Sequence, residues 1–148
     1  MSTTPAAVRL AIETQVGTTT LTDTSTPLCL SLHPQQVFLD PARSPRHMEY
    51  AVGCSSSEAA GDRARSTGTV LTRTLISVSL AFQLPIQDPS MDALLVAEND
   101  IRKHLNEKSP TYPVNFQIRW LRSSRGMMAP PGWMYSVSEF EALHMMVI

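Results

Sequence analysis

Four side chains in the sequence could bind a metal ion: Cys29, His33, His47 and Cys54. Thiolates and imidazoles are preferred ligands of Zn²⁺, and structural zinc sites usually contain closely spaced cysteine pairs. These four residues lack that spacing, although Cys29 and His33 could share one face of a strand. The pattern favours a buried thiol and loop histidines, and it leaves a small metal-binding domain as an alternative.

The remaining polar residues do not form a recognised catalytic motif. Ser55–Ser57 lies outside a G-x-S-x-G nucleophile elbow. Gly61 and Gly68 are not part of a G-x-x-x-x-G-K-[ST] phosphate loop. We interpret Glu139 and Glu141, two positions apart on a predicted strand, as solvent-exposed charges. The sequence therefore predicts no catalytic residue, no cofactor and no enzyme activity.

A group of arginines could contact phosphates or other proteins: Arg63, Arg65, Arg73, Arg119, Arg122 and Arg125. The formal net charge of -1 argues against binding of nucleic acid by bulk charge. Proteins that bind single-stranded nucleic acid combine basic residues with interleaved aromatic side chains. The arginines of this sequence lack such interleaved aromatic residues. Because arginine is enriched in protein interfaces, we predict that Arg63, Arg65, Arg122 and Arg125 contact neighbouring protein subunits. Contact with DNA is predicted to be weak and non-specific.

Apolar residues at a predicted hairpin tip and at the C-terminal end are also expected to contact neighbouring subunits: Met127, Met128, Trp133, Met145 and Met146. The tip includes Pro130 and Pro131 and is flanked by polar residues. Methionine adapts to irregular surfaces, and an exposed apolar tip is typical of a docking surface. The alternative is a loop that folds back over the edge of the core.

A strand, a helix and a second strand form the centre of the predicted fold. Apolar and polar residues alternate from Thr74 to Leu84 and again from Val114 to Leu121, which is the period of a strand with one buried face. Between them, residues 90–105 place apolar side chains on one helical stripe. Asp88-Pro89-Ser90 supplies the helix start. One face of this helix is predicted to pack on the sheet.

The flanking segments add a helix and further strands. Thr4 and Pro5 are typical of a helix start, and Pro5–Val16 is predicted to be a helix. Short strands are predicted at Leu28–Leu32 and Met48–Cys54. The last segment, Trp133–Ile148, is predicted to pair with the strand before it as a long antiparallel hairpin. Its alternation changes phase near residue 138, which predicts either a β-bulge or a strand that leaves one sheet and extends into a different surface.

The segment from Ser55 to Gly68 has no large apolar residue. Such a segment buries too little surface to offset its ordering entropy. We therefore predict a mobile loop at about residues 55–69 that is either plain surface or becomes ordered against a neighbouring subunit.

Length and composition favour a single α+β domain covering residues 1–148, with a mixed or antiparallel sheet. The chain has 148 residues, of which 43% are hydrophobic, and this is sufficient for a core. Two cysteines are too few for a disulfide framework and favour a reducing compartment. Neither a signal peptide nor an apolar run of membrane-spanning length is present. We expect a protein made in the cytoplasm.

This order of elements resembles the tail terminator proteins of long-tailed bacteriophages. The similar pieces are Pro5–Val16, Met48–Cys54, Thr74–Leu84, Ser90–Leu105 and Val114–Ile148. The resemblance implies a virion structural protein that forms a ring, most simply a hexamer, at the head-proximal end of the tail tube. Its implied partners are copies of itself, the major tail tube protein and head-completion proteins. Another phage neck or tube protein, or a cytoplasmic adaptor, is an alternative.

Overall fold

The helices and strands lie close to where the residue patterns predict them. A computed structural model of the protein describes residues 3–22, 26–31, 46–60, 68–84, 91–108, 116–127 and 132–147. Within these ranges the elements are α1 (Pro5–Gly17), β1 (Cys29–Leu30), β2 (Glu49–Ala59), β3 (Thr69–Gln83), α2 (Asp92–Lys108), β4 (Phe116–Met127) and β5 (Trp133–Val147). The predicted α+β class is confirmed.

The strands form one mixed sheet in the order β1-β2-β3-β5-β4. β1 pairs in parallel with β2, and every other neighbouring pair is antiparallel. β3 and β5 pair along their whole length, from Thr69 opposite Val147 to Gln83 opposite Trp133. β4 lies outside β5, which confirms the predicted C-terminal hairpin. The two central strands therefore hold the sheet together, and β4 forms one of its edges.

Both helices pack on the same face of the sheet. Even-numbered side chains of β3 point to this face and are almost fully buried, as the alternation predicts. The larger core side chains contributed by the helices and β3 are Val8, Ile12, Val16, Ile76, Val78, Leu80, Phe82, Leu94, Ile101 and Leu105. Burying each Leu or Ile side chain contributes roughly 1.5–3 kcal/mol. We call this the helical face of the sheet.

The first helix begins as predicted. The hydroxyl oxygen of Thr4 accepts a hydrogen bond from the backbone N–H of Ala7 at 3.1 Å. Pro5 occupies the first turn, where its missing N–H removes no helical hydrogen bond. Thr4 and Pro5 therefore fix the start of α1, and Val16 is buried at its other end.

A buried histidine connects the N-terminal segment to the sheet. The N–H of Thr3 donates to the carbonyl oxygen of Met145 at 2.7 Å. The carbonyl oxygen of Thr3 accepts from Nδ1 of His144 at 2.9 Å, and Nε2 of His144 lies 2.8 Å from the hydroxyl of Thr74. Both ring nitrogens of His144 therefore have structural partners.

The second helix is displaced slightly from the predicted range of 90–105. It spans Asp92–Lys108 and buries Leu94, Ile101 and Leu105, while Asn99 and Lys103 remain exposed. The predicted helix start at residues 88–90 lies outside the described residues. In the described ranges, no helix is long and apolar enough to cross a membrane.

The predicted mobile loop at residues 55–69 is wrong over about half of its length. Ser56, Ser57, Glu58 and Ala59 each pair with a residue of β3. Their backbone hydrogen bonds are satisfied by the neighbouring long strand, so this polar segment needs no buried apolar row to remain extended. Residues 61–67 lie outside the described ranges.

The predicted hairpin tip and bulge are also corrected. Arg122, Arg125 and Met127 belong to β4, because pairing with β5 continues to Met127 opposite Met134. The bulge lies in β4, between Trp120 and Arg122, whereas β5 pairs with β3 without a shift. Ser136 and Ser138 point to the helical face, the same face as the apolar Met134 and Phe140. Because these two buried positions are polar, the alternation of apolar residues along β5 looked as if it changed phase.

Candidate functional site

No helix covers the second face of the sheet, within the described part of the chain, and we call this the open face. Odd-numbered side chains of β3 and β5 point to it, because alternate residues of a strand face opposite sides. Leu71, Leu75, Val137 and Leu143 are half-buried there, and Met145 is 37% exposed. Contiguous apolar groups that remain accessible on a surface are often found at sites of protein contact.

A row of alternating charges crosses the open face, and we call it the charge row. It consists of Glu58 on β2, Arg73 on β3, Glu141 on β5 and Arg119 on β4. Nη1 of Arg73 lies 3.0 Å from Oε1 of Glu58. Nε of Arg73 lies 3.2 Å from Oε1 of Glu141, and Nη2 of Arg119 lies 2.9 Å from Oε2 of Glu141. The charges are therefore negative, positive, negative and positive across four strands.

Glu141 contacts both arginines of this row. Its side chain is only 9% exposed. Burial raises the pKa of Glu141, but the hydrogen bond from Arg119, the contact with Arg73 and their positive charges outweigh that effect and hold the pKa below its ordinary value. The hydrogen bond to Glu58 and the contact with Glu141 raise the pKa of Arg73. The prediction of a solvent-exposed charge at Glu141 is therefore wrong.

The two predicted interface arginines of β4 lie on opposite faces of the sheet. Arg122 points to the open face, where its Nε donates to the carboxylate of Glu139. Arg125 points to the helical face, where Nε and Nη2 donate to the two carboxylate oxygens of Glu98 at 2.6 and 2.8 Å. Glu98 lies on α2 and is buried. Arg125 therefore fastens α2 to the edge strand, a role that no pattern in the sequence indicated.

The edges of the sheet leave two backbone segments without a strand partner among the described residues. β4 pairs with β5 on one side only. β2 pairs with β1 only at Glu49 and Tyr50, so its outer side from Gly53 to Ala59 meets no described strand. Unpaired N–H and C=O groups of this kind are a template for pairing with another chain.

A groove separates α2 from β4 on the helical face. The guanidinium of Arg102 lies 4.7 Å from the ring centroid of Trp120 and crosses the middle of the groove. On one side is a cavity of about 370 Å³ that includes Lys103, Ile118 and Phe140. The groove combines cations and apolar groups with the buried carboxylate of Glu98, which Arg125 pairs, so it offers mainly contact area.

The remaining predicted interface residues have different outcomes. Met127 is 61% exposed at the end of β4, and its contact with a neighbouring subunit stays a prediction. Trp133 is half-buried and packs against the buried Ala51 and Ala81, and its contact with a neighbouring subunit stays a prediction. Met146 is half-buried. The predictions for Arg63, Arg65 and Met128 lie outside the described residues.

The structure separates the candidate metal ligands. Cys29 lies opposite Glu49 at one end of β2, whereas Cys54 lies further along that strand, on the order of 15 Å away at about 3.3 Å per residue. Nδ1 of His47 accepts a hydrogen bond from the backbone N–H of Gln83 at 3.0 Å. In the described ranges, no group of three or more potential ligands could hold a metal ion, and His33 lies outside them.

Neither a protein-family model nor a curated protein matches this sequence at a significant level. The geometry of the open face, the two sheet edges and the charge row is therefore the basis for a functional proposal.

Proposed function

We propose that this protein is a non-enzymatic virion component: a tail terminator of a long-tailed bacteriophage, made in the host cytoplasm. Copies of the protein would form a ring, most simply a hexamer, that caps the tail tube and joins it to the head-completion proteins. The observation that carries this proposal is the one-sided sheet. Two helices cover one face, whereas among the described residues no helix covers the other face and no strand pairs with the outer sides of β4 and of Gly53–Ala59 in β2. Together with the order of elements, this arrangement is suited to a subunit of a larger assembly.

A terminator needs two different contact surfaces. One surface must bind the growing end of a polymer, and the other must not accept another tube subunit. The two ends of the sheet differ here, because Met127, at the end of β4, is exposed on the helical face, whereas Met145, near the end of β5, is exposed on the open face. An asymmetric subunit of this kind supports head-to-tail contacts, which close into a ring when the rotation between copies permits.

The arginine pairing supports a protein partner more than a nucleic-acid partner. Arg73, Arg119, Arg122 and Arg125 each contact a carboxylate of the same chain. A carboxylate partner offsets part of the positive charge of an arginine, and non-specific binding of nucleic acid depends on the positive charge that the protein presents to the phosphates. Contact with DNA in the lumen of the ring is accordingly proposed to be weak and strongly salt-dependent.

The proposal is tested by native mass spectrometry and electron microscopy of the purified protein, alone and with the major tail tube protein of the same phage. We expect the protein to form a closed ring, either alone or when it binds to the ends of tubes. We also expect tubes that carry the ring to stop growing. A protein that stays monomeric and ignores tube ends contradicts the proposal. Growth of this protein into tubes of its own would instead identify it as a tube protein.

A further inference from the structure

We infer that copies of this protein join edge to edge, with β4 of one copy pairing antiparallel with the outer side of β2 of the next. The inference rests on the proposed ring and names the contact within it. The segments involved are Ile118–Ser124 on one copy and Gly53–Ala59 on the next, which are equal in length. Both segments lack a strand partner on the side concerned, within the described residues.

The strand directions favour this contact. β2, β3, β5 and β4 alternate in direction across the sheet, since each neighbouring pair is antiparallel. β4 therefore runs opposite to β2. A second copy placed beside β4 in the same orientation presents a β2 that is antiparallel to β4, and the same contact can repeat without inverting any copy. Repetition of one heterologous contact is the geometry that builds rings.

The charge row favours β2, and not a second β4, as the strand that pairs with β4 of the neighbouring copy. It begins with Glu58 on β2 and ends with Arg119 on β4. A following copy would place its own Glu58 beside Arg119, so the alternation of charge would continue across the contact. Pairing of β4 with a second β4 would instead bring Arg119 and Arg122 of both copies together, and like charges on opposed strands are destabilising.

The two bulges are compatible with this register. With Arg119 opposite the next copy's Glu58, the bulge of β4 at Leu121 and the bulge of β2 at Ser55 lie close together. Each bulge adds one residue, so the faces of the two strands remain in phase. This register places Ser123 opposite the next copy's Cys54, and both side chains lie on the helical face.

A disulfide tests the register. Opposed residues of an antiparallel pair have Cα atoms about 4.5–5.5 Å apart, which lies within the range of about 4.4–6.8 Å that disulfides span. In a Cys29→Ser background, the Ser123→Cys variant should give a reducible ladder of linked copies on mild oxidation. The matched control is Ser124→Cys, on the same edge but on the opposite face, which should not cross-link to Cys54.

A third variant distinguishes the two possible edge contacts. Adding Cys54→Ser to the Ser123→Cys variant should abolish the ladder, whereas a β4–β4 contact would still link the introduced thiols of two copies and would overturn the inference. A ring that caps tubes but does not cross-link through Cys54 overturns the edge pairing alone. Cross-linked rings that ignore tube ends support the edge pairing and contradict the terminator function.

Discussion

The link between Arg125 and Glu98 gives the sharpest test of how the edge strand is held. Arg125→Ala removes two charge-assisted hydrogen bonds and leaves a carboxylate that is 7% exposed without its cation. Hydrogen bonds to charged groups contribute about 1.5–3 kcal/mol. The Arg125 side chain is 34% exposed, so solvent screens part of this interaction. We expect the free energy of unfolding to fall by about 2 kcal/mol.

Urea denaturation followed by circular dichroism measures this loss. With a slope of about 2 kcal/mol per molar urea, the midpoint should fall by about 1 M. Arg122→Ala is the matched control on the same strand, since its side chain is 76% exposed and pairs with Glu139 on the open face. Its midpoint should barely move. All measurements use one protein concentration, because assembly raises apparent stability.

A second substitution tests the physical reason. Replacing Glu98 with glutamine in the Arg125→Ala variant removes the unpaired buried charge. If that charge causes the loss, the double variant should be more stable than Arg125→Ala alone. Equal losses for Arg125→Ala and Arg122→Ala, or no recovery in the double variant, would refute the reasoning.

Three further predictions concern the open face, the core and the edge. Folding lowers the pKa of Glu141, so the ionised carboxylate stabilises the folded protein fully above the unfolded pKa of about 4.3 and progressively less at lower pH. The difference in unfolding free energy between wild type and Glu141→Gln should therefore shrink below about pH 4.3. Leu105→Ala should cost about 2–5 kcal/mol in urea denaturation, whereas Leu10→Ala, 54% exposed, should cost little. A Cβ at Gly126 would lie 2.6 Å from the Tyr135 hydroxyl. Gly126→Ala should therefore lower the free energy of unfolding by about 1 kcal/mol in the wild-type protein, and it should have no effect in a Tyr135→Ala variant, which lacks the hydroxyl.

Local patterns in the sequence determined most of the fold. The alternation in β3, the helical stripe of α2 and the Thr4–Pro5 start each depend on residues that are near one another in the chain. These patterns report which side of an element is apolar, and burial follows directly from that. The order of elements and the C-terminal hairpin could therefore be predicted before any contact between distant residues was known.

Tertiary structure alone decided which polar segments are ordered. Ser56–Ala59 and Arg122–Met127 contain few large apolar residues, so their side chains gave no strand signal. They are extended because β3 and β5 pass beside them and satisfy their backbone hydrogen bonds.

The candidate assembly surface was likewise decided by tertiary structure. Glu58, Arg73, Glu141 and Arg119 come from four strands and meet only when the sheet forms. Strand register, which depends on every pairing in the sheet, sets these distances. The sequence could determine which elements exist, but only the folded sheet decides which charges face each other and which strand edges lack a partner among the described residues.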